Sequence, residues 1–329
     1  MNDTILSVED LKTHFPVRAG LFSKSRKSVF ALDGVTFDVA RGETLGIVGE
    51  SGCGKTTLGR TIVNVYKPTA GRVIFKDIVI SGLGSREMRP LRKNIQMIFQ
   101  DPFESLNSRH TVRYILEEPY IIHKICDRKE RERRVKKLLE IVGLPESSLD
   151  RFPHEFSGGQ RQRIGIARAV SLNPELIVCD EPVSALDVSI QSQILNLLMD
   201  LQSEFKLTYI FISHDLTVVR HVSDRIGVMY LGRIVELTDG DTIYSGPLHP
   251  YTQALISAIP VPSPGKGDKR IILEGSVPSP ISPPSGCHFR TRCPIARDIC
   301  SVEYPELKNY DGGKGGHFVA CHFAGEKII

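Results

Sequence analysis

The sequence predicts an α/β protein in which a parallel-sheet core follows a group of antiparallel strands. Three observations carry that prediction. The stretch Gly49 to Thr57, GESGCGKTT, lies between the apolar run Leu45, Gly46, Ile47, Val48 and a periodic segment from Leu58, and fits the phosphate-loop pattern at Gly49, Gly54, Lys55 and Thr56. Farther on, the apolar run Leu176 to Val178, a helical segment Val188 to Phe205 and a strand Thr208 to Ile212 give a strand, helix, strand rhythm. Such a crossover implies parallel strands with ligand groups gathered at their carboxyl ends. From Ile5 to Val48, apolar and polar residues alternate in LSVEDLKTHF and KSVFALDGVTFDVA before the buried run ETLGIVG. That alternation argues for half-buried antiparallel strands leading into a central one.

At 329 residues the chain is long for one domain. A Pro-, Ser- and Gly-rich stretch from Pro260 to Pro284 reads as an extended connector. The boundary is therefore expected near Ile259, with residues 1–259 forming one domain and 260–329 a second. Lys and Arg number 42 against 38 Asp and Glu, a formal charge of +4 that provides no electrostatic case for nucleic acid as a partner. No apolar run reaches the ~18 residues of a membrane span, and MNDTILSVEDLK lacks the pattern of a signal peptide. A cytosolic chain is expected.

Taken in order, the segment Arg18 to Lys27 between the first two strands is basic and turn-rich, a solvated loop. GRVIFKDIVISG supplies another strand pair, and NIQMIFQ an apolar strand ending at Gln100 before Pro102. Val112 to Val142 is helical by periodicity, and its charged middle, DRKERERRVKK, reads as an exposed face with (i, i+4) pairs. At Phe156 to Val170, Ser157, Gly158 and Gly159 open a second helix whose start suits an anion. Short strands at Arg225 to Tyr230 and Arg233 to Leu237 close the first domain.

The chemistry follows from residue type and position. A polyphosphate is held largely by backbone N–H groups, which a glycine-rich turn brings together, and by the positive end of the following helix. Lys55 then reaches the β and γ phosphates while the Thr56 hydroxyl holds Mg²⁺. Asp180 and Glu181 emerge at a strand end, one suited to Mg²⁺ and the next to activating water. A helix-capping acid pair is the structural alternative. His214 follows Phe211, Ile212 and Ser213 at another strand end, where its imidazole can donate a hydrogen bond to the γ phosphate. Gln100 is placed to touch Mg²⁺ or the attacking water. Cys53, beside Lys55 at a helix start, is expected to have a lowered thiol pKa and to be open to alkylation.

Together, Gly49 to Thr57, Gln100, SGGQ at Ser157 to Gln160, CDEP at Cys179 to Pro182, SALD at Ser184 to Asp187 and His214 resemble the ATPase of ABC transporters. SGGQ is the discriminating element. The resemblance covers residues 5 to about 240 and implies a P-loop ABC ATPase with a RecA-like core, an antiparallel β subdomain and a helical signature subdomain at about 102–170. ATP and Mg²⁺ are the implied ligands, with Gly49, Glu50, Ser51, Gly52, Cys53, Gly54, Lys55, Thr56 and Thr57 around the phosphates. Mg²⁺ falls to Thr56, Gln100 and Asp180, and Glu181 is the general base, with Lys55, Gln100 and His214 assisting. Phe15, with Phe30 as rival, is the expected adenine-stacking residue.

The same resemblance implies a head-to-tail dimer in which Ser157, Gly158, Gly159 and Gln160 meet the partner's ATP and Asp187 lies at the seam. The tail HPYTQAL at His249 to Leu255, followed by Pro-rich sequence and four cysteines, is similar to the ATP-binding subunits of dipeptide and oligopeptide importers, here the second of their paired ATPases. Nickel and glutathione importers share this tail type; a non-transport ABC clamp is the alternative from another class. The implied partners are a second ABC ATPase subunit (a homodimer being the isolated alternative), two transmembrane permease subunits and, through them, an extracytoplasmic peptide-binding protein. The implied place is peripheral, on the cytoplasmic face of the cell membrane.

Cys287, Cys293, Cys300 and Cys321 are separated by five, six and twenty residues. In a reducing compartment such crowding favours metal ligation over disulfides. No C-x-x-C pair is present, so a zinc ribbon is not indicated, while four thiolates suit a soft metal centre. A 4Fe–4S cluster in a small Cys-rich extension is what related importer ATPases imply. Zinc and a metal-free segment are the alternatives.

Overall fold

The computed structural model describes residues 4–17, 27–101, 105–259, 270–311 and 316–328. The basic insertion other than Lys27, Pro102 and the first part of the Pro-rich connector lie outside these.

The chain opens with β1 (Thr4–Pro16) and β2 (Ser28–Ala40), in which Leu6 and Val8, and Val35, Phe37 and Val39, turn inward by the two-residue period, and Leu11 follows across a register shift between Glu9 and Lys12. β3 (Thr44–Val48) is buried at every residue, as a central strand requires. Helix α1 (Lys55–Ile62) buries Leu58 and Ile62. It is followed by the hairpin β4 (Ala70–Phe75) and β5 (Ile78–Val79). Lys76 and Asp77 between them both have positive φ, the mirror-image turn that matches strand twist. The order β2-β1-β4-β5 makes an antiparallel group, with Leu6 opposite Phe75 and Val8 opposite Val73.

Next come α2 (Ser85–Met88), β6 (Ile95–Ile98), α3 (Val112–His123), α4 (Arg128–Ile141) and α5 (Gly158–Val170). The single helix expected over Val112 to Val142 is two. Lys124 ends α3 in the left-handed conformation (φ 52°), and the Asp127 carboxylate restarts the helix by accepting the Glu130 N–H at 2.9 Å. The charged face of α4 is exposed as expected, Glu130 pairing with Arg133 and Arg134 at 2.8 Å each. β7 (Leu176–Asp180), α6 (Val188–Phe205) and β8 (Thr208–Ile212) then form the predicted crossover. β6, β7 and β8 are parallel neighbours, Leu176 lying opposite both Ile95 and Thr208.

The remaining elements are α7 (Leu216–Val222), β9 (Arg225–Tyr230), β10 (Arg233–Asp239), α8 (Gly240–Ser245), α9 (Pro250–Ser257), α10 (Ile299–Val302), β11 (Lys308–Asn309) and β12 (Phe318–Val319). β9 runs parallel to β3 and antiparallel to β10. The cysteine-bearing tail extends the same ladder, with β12 pairing β10 at Glu236 and Val319, and β11 pairing β12.

Two compact units result. One comprises Met1–Ile5, Ala40–Glu43 and Leu83–Ile212; the other comprises Leu6–Val39, Thr44–Gly82 and Ser213–Ile329. The described tail thus belongs to the unit that carries the phosphate loop.

Candidate nucleotide site

In the second unit, the phosphate loop leaves β3 at Gly49 and enters α1 at Lys55. Two of its glycines are required by space as well as by φ. At Gly54 (φ 108°) a Cβ would stand 2.2 Å from the Ala31 carbonyl oxygen, and at Gly49 (φ 154°) 2.2 Å from that of Met229. Backbone oxygens cannot swing aside, so the loop tolerates no side chain at either position. The Lys55 ammonium lies inside the loop, donating to the carbonyls of Gly49 at 2.8 Å and Glu50 at 3.2 Å. Thr56 is the second residue of α1. Ser213, which follows β8, donates its N–H to the Ile47 carbonyl at 3.1 Å, bringing the exposed His214 to the loop end of β3. Phe15 packs edge-on against Tyr66 with ring centroids 5.2 Å apart, while Phe30 packs against His14 at 4.6 Å.

Cys53 corrects the expectation of a reactive thiol. It is 3% exposed, and burial pushes its pKa up by more than Lys55, whose ammonium lies 3.9 Å from the sulfur, pulls it down. Proximity to a helix start and a lysine is visible in sequence, whereas loss of solvent is not.

The other unit holds the remaining motif residues. Asp180 ends β7 and is fully buried. Glu181 leaves the strand in the left-handed region (φ 46°), its N–H bonded to the Ile212 carbonyl at 2.9 Å. That conformation costs a non-glycine residue about 1–2 kcal/mol. The Ser184 hydroxyl donates to the Glu181 carbonyl at 3.1 Å, and the Gln100 amide donates to the Glu181 carboxylate at 3.0 Å. Gln100 lies two residues beyond β6, which ends at Ile98, in exposed chain.

Ser157 caps α5 reciprocally with Gln160: the Ser157 hydroxyl accepts the Gln160 N–H at 3.4 Å, and the Gln160 side-chain oxygen accepts the Ser157 N–H at 3.1 Å. Gly159 has a packing reason as well, since a Cβ there would stand 2.5 Å from the Ile190 Cγ2. Asp187 is exposed at the start of α6, its carbonyl accepting from Gln191 at 2.8 Å. Gln191 also ties the SALD turn through the Val183 and Leu186 carbonyls, at 3.1 and 3.0 Å.

Sequence reasoning missed two residues that grip the phosphate loop itself. The Arg292 guanidinium forms a bidentate pair with the Glu50 carboxylate, at 2.8 and 3.1 Å, and the Tyr251 hydroxyl accepts the Glu50 N–H at 2.9 Å. Tyr251 belongs to the HPYTQAL segment singled out by its resemblance. Arg292 has no local signal, being 242 positions from its partner.

Cys287, Cys293, Cys300 and Cys321 are all free thiols. Burial pushes Cys293 up to about 11 and Cys321 up to about 12, with smaller contributions from neighbouring cysteines. Among the described residues, however, no group of three or more His, Cys, Asp or Glu side chains is placed to hold a metal ion. The expected iron–sulfur or zinc centre is thus unsupported, although the four thiols lie near enough for Cys287, Cys293 and Cys300 each to raise the pKa of Cys321; Cys321 itself accepts the Phe323 N–H at 3.4 Å. The phosphate loop, by contrast, fits ATP and Mg²⁺ in its donor set.

A phosphate loop on a parallel strand, an acid pair leaving a buried strand and a reciprocally capped SGGQ helix define the class of ATP-binding cassettes. Residues 32–184 match the ABC transporter family, and residues 235–300 match the oligopeptide/dipeptide transporter C-terminal region. The chain is 58% identical over 323 residues to the oligopeptide transport ATP-binding protein AppF of Bacillus subtilis (strain 168), covering 97% of each. It is 51% identical over 322 residues to the probable peptide ABC transporter ATP-binding protein y4tS of Sinorhizobium fredii, covering 98% of this chain and 90% of the relative. Among solved structures it resembles the ATP-binding cassette MJ0796 in a dimeric post-hydrolysis state bound to ADP and Pi, with a TM-score of 0.64 at 29% identity over 71% of this chain and 98% of that one. The chain belongs to the ABC transporter ATP-binding proteins, in the group that carries the oligopeptide/dipeptide C-terminal region. Among the described residues no helix is long and apolar enough to cross a membrane.

Proposed function

We infer that this chain binds and hydrolyses ATP to power peptide import through an ABC transporter. The observation that carries the reading is the 58% identity, across 97% of both chains, to an oligopeptide transport ATP-binding protein. The loop geometry supports it, because Gly49 and Gly54 leave the backbone open to phosphate and Lys55 already lies within the turn. In this reading the loop from Gly49 to Thr57 cradles the phosphates, and the adenine stacks on Phe15. Mg²⁺, when bound, neutralises charge on the phosphate oxygens; Thr56, Asp180 and Gln100 are the residues to hold it.

Glu181 takes a proton from the attacking water as its oxygen bonds to the γ phosphorus and the bond to ADP breaks. Gln100, already bonded to the Glu181 carboxylate, orients that base and reports on the nucleotide to the permease. His214 donates to the γ phosphate. Ser157, Gly158, Gly159 and Gln160 serve the ATP of a second ABC ATPase subunit, with Asp187 at the seam. Two permease subunits, and through them an extracytoplasmic peptide-binding protein, complete the assembly at the cytoplasmic face of the membrane. A nickel or glutathione importer is the nearest alternative, and the relatives' names favour peptide. A metal centre on the tail cysteines is no part of this reading.

The test is co-purification with the membrane subunits, reconstitution, and uptake of labelled dipeptide, longer peptide and nickel. Peptide uptake with ATP turnover is expected, and Glu181→Gln should lower turnover by about 100-fold or more while ATP still binds. Nickel uptake without peptide uptake would overturn the substrate. Unchanged turnover in the variant would remove Glu181 as the base.

A further inference from the structure

Glu50 places a carboxylate inside the loop read here as the cradle of a polyanion, one residue after Gly49. An unneutralised acid there repels phosphate. Its charge is met by Arg292, whose guanidinium approaches both carboxylate oxygens, at 2.8 and 3.1 Å. The Arg292 side chain is 8% exposed and that of Glu50 29%, so the pair is part-buried and less screened than a surface ion pair. Burial works against the Arg292 charge, but Glu50 and Tyr230 together more than offset it, and the guanidinium pKa is raised.

The support behind Arg292 is built from the C-terminal region. Phe289, 1% exposed, packs against Tyr230 at 5.3 Å, Tyr251 at 5.4 Å and His249 at 5.6 Å between ring centroids. Arg292 turns back on this anchor, its N–H donating to the Phe289 carbonyl at 2.9 Å. Tyr251, in the same cluster, takes the Glu50 N–H. One residue of the loop is therefore held by backbone and side chain at once, from segments about 200 and 240 residues away.

We propose that Arg292 and Tyr251 are positioning residues for the phosphate loop, by which the C-terminal region sets ATP affinity through Glu50. The proposal rests on the reading of the loop as an ATP site. Arg292 neutralises the one acid in the cradle and keeps its carboxylate turned away from the phosphates. Tyr251 fixes the backbone of the same residue. The C-terminal region is then a part of the nucleotide site, and changes in that region reach ATP without touching it.

The experiment measures ATP turnover and ATP binding by calorimetry on the full chain assembled with its membrane subunits. Arg292→Ala should raise the KM and the Kd for ATP about tenfold, the effect of one lost charge-assisted contact, while kcat stays within twofold. Arg292→Lys should recover part of the affinity. Adding Glu50→Gln to Arg292→Ala should recover most of it, because the stranded charge is gone. Tyr251→Phe, which keeps the ring in its cluster, should raise the KM about threefold and serves as the test if Arg292→Ala does not fold. A merely structural role would lower stability and kcat without the rescue by Glu50→Gln.

An Arg292→Ala affinity within twofold of wild type, or a double variant as weak as the single, overturns the proposal; so does an unchanged KM in Tyr251→Phe. Failure of the ATP-site reading itself is separable, since wild type would then neither bind nor hydrolyse ATP.

Discussion

Gly159→Ala separates two reasons for a glycine in SGGQ. If it serves only to admit a partner's phosphate, alanine harms activity and leaves the isolated chain's stability alone. The structure gives it a second task, because the new Cβ would lie 2.5 Å from the Ile190 Cγ2. Carbon atoms rest at about 3.5–4.0 Å, so the contact must open by roughly 1 Å or more. Ile190 is β-branched and on a helix, where one χ1 rotamer dominates, so its methyl cannot swing clear. Helices α5 and α6 must part instead, at about 1–3 kcal/mol. Alanine regains up to ~1 kcal/mol of helix propensity, less in a first turn. A net loss of about 1–2 kcal/mol remains, roughly 3–6 °C in melting temperature for a unit of ~150 residues.

The assay is urea unfolding of the nucleotide-free chain, with Gly158→Ala as control. There the new Cβ would meet only the Leu186 Cδ2, at 3.3 Å, the far end of a flexible side chain. That variant should fall within about 0.5 kcal/mol of wild type. Ile190→Ala should make the Gly159→Ala change nearly neutral, a non-additivity expected of residues in contact. Equal stability of Gly159→Ala and wild type would refute the packing argument.

Two further outcomes follow from burial. His249 is buried, and desolvation lowers its pKa to about 4, with Glu236 acting in the opposite sense. The unfolded chain, with an ordinary histidine near 6.5, binds the extra proton first as pH falls. The contribution is therefore intact above about pH 6.5 and is lost towards pH 4, at most about 3 kcal/mol. Unfolding free energies at pH 7 and pH 5 check this, and His249→Asn should flatten the pH dependence; an equal slope in the variant would remove His249 as its source. Cys53, buried and with its pKa raised, should resist maleimide at neutral pH while the partly exposed Cys126 reacts first, as read by peptide mass mapping. Rapid labelling of Cys53 in the folded chain would refute its burial.

Much of the fold was legible because its signals are local. Val188 to Phe205 and Thr208 to Ile212 appear with the boundaries their periodicity indicates. The phosphate loop was identifiable from four residue types at fixed spacing. The helix break at Lys124 was not, because apolar periodicity continues across it and only the capping carboxylate of Asp127 marks the restart. Gln100 was read as a strand end, and the strand stops two residues earlier. The four tail cysteines show the limit of spacing: the thiols do come near one another, as their mutual effect on pKa shows, but spacing alone does not say what they hold.

The sequence by itself determined the local form of the glycine-rich turn at Gly49 to Thr57, the strand that ends at Asp180 and the SGGQ helix start, since each depends on neighbours within a few positions. Only the tertiary structure decided how Cys53 titrates, why Gly159 has no side chain and what neutralises Glu50. Those depend on desolvation, on a methyl from another helix and on a guanidinium 242 positions away. Burial and charge act through distance in space, and a chain's order records distance only along itself.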